Sequence, residues 1–186
     1  MKAIFLDRDG VINKEPGNGE YVKSWEEFEF LPGVKPALKR LDDHGFTIVV
    51  ISNQAGVSKG LYSEKDLERI TRNMLAELSE SKIKIKDVYY CMHQTNDNCD
   101  CRKPKTGLIE LAASNLKQEK LSFSLVDCYF VGDTIRDIET GRKAGLKTIL
   151  VFSGKEKPEN KNSRQVLPDF TATDLSEAVD LVLKSQ

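Results

Sequence analysis

Five short apolar stretches punctuate the chain: residues 2–6 (KAIFL), 47–51 (TIVVI), 88–90 (VYY), 128–131 (CYFV) and 148–152 (TILVF). They are rich in β-branched and aromatic residues, as strands buried on both faces should be. Between them the apolar positions recur at helical spacing. Val34, Ala37, Leu38 and Leu41 form one stripe, and Leu67, Ile70, Met74 and Leu78 form another behind Ser63, a helix-capping residue type. Further helices are predicted over 106–117, over 138–144 with Gly145 as the stop, and over 175–183 behind an Asp174 cap. Alternation of strand and helix enforces parallel pairing through right-handed crossovers. The expected fold class is α/β: a doubly wound, Rossmann-like parallel sheet with helices on both faces. Ligands in such sheets bind at the carboxyl ends of the strands.

Segments 13–31, 94–106 and 155–168 do not fit this alternation. The first two follow strands and can overhang a site, whereas the third, KEKPENKNSRQVLP, reads as a mobile stretch or a surface lid. A length of 186 residues suits one domain over residues 1–186 and is short for two. The composition, 39% hydrophobic and 31% charged, is that of a soluble globular protein. A net charge of −1 gives no general attraction to nucleic acid or an anionic membrane, so neither is an expected partner. The apolar run 3–6 is too short for a signal sequence and no later run reaches membrane-spanning length, so a cytoplasmic location is expected.

The strand ends carry the chemistry. Side chains two apart on a strand point the same way, so Asp7 and Asp9 can face one pocket, with Arg8 turned aside and Gly10 allowing a sharp turn. Converging carboxylates need a divalent cation or a proton between them. By itself D-x-D-G also ends a strand in an ordinary turn. The second strand runs into Ser52 and Asn53, whose hydroxyl and following N–H groups suit phosphate oxygens, although Ser-Asn is also a common turn. The fourth delivers Asp133 directly after Gly132, with Asp137 one helical turn further on. Together, these strands bring acids and phosphate-binding groups to one edge.

A separate cluster, CMHQTNDNCDC, places Cys91 two residues before His93 and Cys99 two before Cys101. The two pairs can close around a tetrahedral Zn²⁺, and four protein ligands leave no position for water, so such a site is structural. A redox pair or incidental residues are the alternatives. Because Arg102 and Lys103 follow Cys101 directly, a clamped loop would aim both cations without a large cap domain. Cys128 reads as a core residue and His44 as the end of a helix.

In this order, DRDGVIN, VISNQAG, CRKPKTG and VGDTIRD resemble the four motifs of the haloacid dehalogenase superfamily of phosphohydrolases. The longer strings FLDRDGVIN, FEFLPGV, NQAGVSKG, YYCMH and CDCRKPKTG are similar to its heptose 1,7-bisphosphate phosphatase branch, with histidinol-phosphate phosphatases as neighbours. The resemblance implies that Asp7 is the nucleophile and that Asp7, Asp9 (through its carbonyl) and Asp133 hold Mg²⁺. It implies that Asp9 is protonated when it faces the bridging oxygen, then acts as base, and that Ser52 and Lys103 hold phosphoryl oxygens. Arg8, Tyr21, Asn53, Gln54, Arg102 and Thr134 are the expected substrate contacts. The implied enzyme is a monomer that removes the 7-phosphate of a heptose 1,7-bisphosphate, in the route to lipopolysaccharide core or another nucleotide-heptose product. Histidinol phosphate and other small sugar phosphates are the alternative substrates, and a receiver-type signalling module is the rival from another class. Two departures bear on the substrate: NKEPGNGEYV is longer than the family's loop and lacks its histidine, and Thr134 stands where many members have lysine.

Overall fold

The computed structural model describes residues 2–17, 19–118 and 124–185. Its sheet has six parallel strands in the order β3-β2-β1-β4-β5-β6. These are β1 (Lys2–Leu6), β2 (Phe46–Asn53), β3 (Asp87–Cys91), β4 (Tyr129–Gly132), β5 (Lys147–Val151) and β6 (Phe170–Ala172). The helices are α1 (Val34–Asp43), α2 (Glu64–Glu80), α3 (Gly107–Gln118), α4 (Ile135–Lys143) and α5 (Leu175–Lys184).

The period of two in each strand divides the core. Ile4 and Leu6 of β1 pack with α1, α2 and α5, whereas Ala3 and Phe5 pack on the opposite face with α3. Both faces are covered, which is why the strands read as continuous apolar runs. From β1 the chain winds outward through β2 and β3, and from β4 it winds the other way, so the order reverses between β1 and β4. A crevice opens at the carboxyl ends of such a pair. There the N–H of Asp7 donates to the carbonyl of Val131 at 3.0 Å, extending the ladder by one bond and placing Asp7 beside the end of β4.

Two elements differ from expectation. β6 was not predicted because it has three residues, two of them exposed, and so carries no apolar run. α4 starts at Ile135 rather than 138, because the side chain of Thr134 accepts from the Asp137 N–H and Asp137 reaches back in a capping box. The caps of α2 and α5, Ser63 and Asp174, lie where predicted. Segment 155–168 is tied down: Arg164 donates to the Lys157 carbonyl at 2.7 Å and lies over the Phe152 ring, and Arg142 of α4 donates to the Leu167 carbonyl at 2.6 Å. Among the described residues no helix is long and apolar enough to cross a membrane, and no second domain stands over the carboxyl edge.

Candidate active site

A cavity of about 80 Å³ opens where β1 and β4 end, with Asp7, Ser52, Lys103 and Asp133 among its walls. Carboxylate oxygens of Asp7, Asp133 and Asp137 all lie within 4.8 Å of one another. Lys103 is nearly buried among them, its Nζ at 2.8 Å from Asp7 Oδ2, 2.6 Å from Asp137 Oδ1, and donating to the Ile51 carbonyl at 3.1 Å. Burial alone would lower the Lys103 pKa, but Asp137 and Asp7 outweigh it and raise it, so the ammonium persists. Asp7 is pushed up to about 6, chiefly by burial and against the pull of Lys103, while burial and then Asp137 and Asp7 raise Asp133.

One lysine among three clustered acids leaves the cluster short of positive charge. Carboxylate oxygens at this spacing, destabilised as anions by burial, are a donor set that fits a hard divalent ion. Asp137 is the most committed of the three, since its Oδ2 accepts from the Thr134 N–H at 3.0 Å and the Thr134 hydroxyl at 2.5 Å while Oδ1 faces Lys103. Asp133 is enclosed: its Oδ2 accepts from the Lys155 N–H at 2.8 Å, and side chains at Gly10 or Gly154 would come within 2.3 and 2.0 Å of that oxygen. Gly10 also has a φ of +81°, so its glycine is required twice over.

These shifts set a pH dependence opposite to that of most acidic residues. Because Asp7 moves from its ordinary 3.8 to about 6, the folded metal-free protein binds more protons than the unfolded chain in that window. Its stability should therefore fall as pH rises from 4 towards 7, by up to about 3 kcal/mol from Asp7. Melting of protein dialysed free of magnesium checks this, and added Mg²⁺ should raise the melting temperature more at pH 7 than at pH 5.

Asp9 lines the same cavity but its side chain turns to a different set of partners. Arg8 donates Nη2 to both its oxygens at 2.9 and 3.1 Å and Nε to Oδ1 at 3.1 Å. Asn13 donates to Oδ1 at 2.9 Å and Gln54 to Oδ2 at 2.8 Å. Burial would raise the Asp9 pKa, but the guanidinium and the two amides outweigh it and lower it. The free protein favours Asp9 as a carboxylate, and the side chain of Asp137 rather than that of Asp9 joins the acidic cluster. Arg8 and Gln54, expected at the substrate, have no exposed surface. Arg8 is committed to Asp9 and lies over the Tyr90 ring, while Gln54 accepts from the Tyr62 hydroxyl at 2.6 Å and donates to Ser52 Oγ at 3.2 Å. Both position Asp9 from behind.

Asn53 lines the cavity, and its amide brackets Lys103, accepting from the backbone N–H at 3.1 Å and donating to the carbonyl at 3.2 Å. Thr134 lines it too, as the α4 cap. Tyr21 and Arg102 do not reach it: the Tyr21 hydroxyl accepts from Lys59 at 3.1 Å, and Arg102 donates to the His93 carbonyl at 3.0 Å beside an adjoining pocket. Three wall residues carry no sequence-based expectation, Glu15, Arg136 and Lys155, while Asp137 was expected at this edge without a role. The 2.9 Å Lys155–Glu15 ion pair joins distant segments and has no local signal.

The cysteine cluster assembles as the spacing suggested. Cys91 Sγ lies 3.7 Å from both Cys99 Sγ and His93 Nδ1 and 3.1 Å from Cys101 Sγ, and all four cysteines of the chain are free. Tetrahedral Zn–S bonds of ~2.3 Å give S–S edges of ~3.8 Å, so the donor set fits zinc. Burial and the neighbouring thiols push the Cys101 thiol up to about 12, a cost that a bound cation would remove.

Sheet, acids and lysine match the haloacid dehalogenase class of phosphohydrolases. Comparisons with known proteins agree: a HAD-hydrolase-like family model matches residues 100–178, the stretch carrying Lys103, Asp133 and Asp137. The chain is 36% identical over 185 residues to the D-glycero-D-manno-heptose-1,7-bisphosphate 7-phosphatase of Chlorobaculum tepidum, covering 96% of this chain and 92% of that one. It is 38% identical to the D-glycero-beta-D-manno-heptose-1,7-bisphosphate 7-phosphatase of Haemophilus ducreyi, over 83% of this chain and 85% of that one. The crystal structure of D,D-heptose 1,7-bisphosphate phosphatase from B. bronchiseptica, complexed with magnesium and phosphate, superposes with a TM-score of 0.89 at 30% identity over the whole of both chains. The chain belongs to the family of the D-glycero-D-manno-heptose-1,7-bisphosphate 7-phosphatases.

Proposed function

We propose that this chain is a magnesium-dependent phosphatase that takes the 7-phosphate from D-glycero-D-manno-heptose 1,7-bisphosphate through an aspartyl-phosphate at Asp7. The observation that carries the reading is Asp7 itself, a carboxylate in a small cavity, 2.8 Å from a buried lysine and clustered with Asp133. The names of the relatives support the substrate, and the magnesium and phosphate in the B. bronchiseptica enzyme support the metal. Asp7 and Asp133, with the carbonyl of Asp9, would hold the ion, which when bound supplies positive charge to the phosphoryl oxygens.

In the first half-reaction an Asp7 oxygen attacks phosphorus and the bond to the sugar oxygen breaks. Lys103 and Ser52 hold the non-bridging oxygens. Asp9 gives a proton to the leaving sugar oxygen, and since the free protein favours its carboxylate, that proton has to arrive with substrate binding. In the second half-reaction Asp9, now ionised, takes a proton from the water that attacks the aspartyl-phosphate. Phosphate leaves and Asp7 is regenerated.

Zinc at Cys91, His93, Cys99 and Cys101 would fix the loop that presents Arg102 and Lys103. A Cys99→Ala variant should lose about one zinc per chain by metal analysis and raise KM by about tenfold or more, with the sheet still folded. A cytoplasmic monomer with one domain over residues 1–186 completes the proposal, and gel filtration tests the oligomeric state. The test of substrate is kcat/KM with Mg²⁺ on both anomers of heptose 1,7-bisphosphate, histidinol phosphate and simple sugar phosphates. A heptose bisphosphate should be preferred, and a wide preference for histidinol phosphate would overturn the assignment.

A further inference from the structure

A second pocket of about 350 Å³ adjoins the reaction cavity, and the two share Lys103 and Arg136 as walls. Its chemistry is one-sided. Arg102, Lys103, Lys105, Arg136 and Lys143 line it, and no carboxylate does among the described residues. In a chain of net charge −1, five cations around one pocket make a local field for an anion.

Four of the five are already engaged. Lys103 pairs with Asp7 and Asp137, and Arg102 donates to the His93 carbonyl. Lys105 donates to the Cys99 carbonyl at 2.6 Å, and Lys143 pairs with Glu139 at 2.7 Å. The Arg136 side chain, exposed on the first turn of α4, makes no hydrogen bond or ion pair among the described residues. Thr134, on the same turn, is neutral and its hydroxyl is committed to Asp137.

The sizes of the two spaces say how a substrate divides between them. The cavity at Asp7, about 80 Å³, is small beside the ~300–1,000 Å³ of sites that enclose whole small molecules. A phosphoryl group fits it and the rest of a sugar bisphosphate lies outside. Arg136 stands on the shared wall with a planar guanidinium able to hold two phosphate oxygens at once. We propose that Arg136 is a specificity-determining residue, holding the second, non-reacting phosphate of a sugar bisphosphate in the basic pocket while the first reacts at Asp7. This rests on the bisphosphate reading given above.

The experiment compares wild type, Arg136→Gln and Arg136→Lys on heptose 1,7-bisphosphate and on heptose 7-phosphate, which lacks the second group. The readout is the ratio of the two kcat/KM values, with zinc content and melting temperature measured on each variant. Wild type should favour the bisphosphate. In Arg136→Gln the ratio should fall by about ten- to a hundredfold, carried by a rise in KM for the bisphosphate, and Arg136→Lys should recover part of it. If wild type favours the bisphosphate and Arg136→Gln keeps the full ratio, the role of Arg136 is refuted while the bisphosphate reading stands. If wild type shows no such preference, the bisphosphate reading fails and this inference fails with it.

Discussion

Asp7→Asn should reduce turnover by at least about 10⁴-fold, the scale seen when a covalent nucleophile is removed, and leave a protein that still unfolds cooperatively. An amide has nearly the shape of the carboxylate, so the hydrogen bond that Asp7 Oδ1 accepts from the Arg8 N–H at 2.7 Å can be kept. The loss of one charge also relieves repulsion from Asp137 and Asp9, which partly offsets the lost ion pair with Lys103. Steady-state kinetics and thermal unfolding on the same preparation separate the two effects. A variant as active as wild type would rule out Asp7 as nucleophile.

Lys103→Met should fail in both respects. It removes the buried cation between Asp7 and Asp137, and breaking a buried pair by deleting one partner costs about 3–5 kcal/mol. Turnover should fall by about 10²-fold or more, because a charge that meets the phosphoryl oxygens is gone. Chemical denaturation without magnesium gives the first number and kinetics at saturating magnesium the second. Adding Asp137→Asn should recover part of the stability without recovering activity, since it removes an acid that Lys103 had neutralised. If stability were unchanged in Lys103→Met, the lysine would not be the internal counter-ion of this site.

The contrast between the two variants shows which parts of the site could be read in advance. Asp7 and Asp133 were legible because each follows an apolar run directly, and an open parallel sheet sends all such ends to one edge. The meeting of Cys91, His93, Cys99 and Cys101 was legible from spacing, since two close pairs on one short loop can fold face to face. For Arg8 and Gln54 the expected substrate contact rested on the family resemblance, which carries no information on burial in this chain. Their burial is tertiary, built by Asp9, Asn13, Ser52 and Tyr62 from three chain segments, and no local pattern marks it. Asp137 was legible as an acid at this edge, but its pairing with Lys103 was not, because it depends on the Thr134 cap that turns this acid towards the lysine. Arg136 and the Lys155–Glu15 pair depend on how α4 and the loops after β1 and β5 meet, which only the folded chain defines.

The most direct test of the account is acid quenching of the enzyme during turnover of substrate labelled with ³²P in the reacting phosphate. Label should remain on the protein, stable to acid and lost in alkali, should map to Asp7, and should be absent from Asp7→Asn. Steady turnover of wild type with no protein-bound label, or label on any residue other than Asp7, would contradict it.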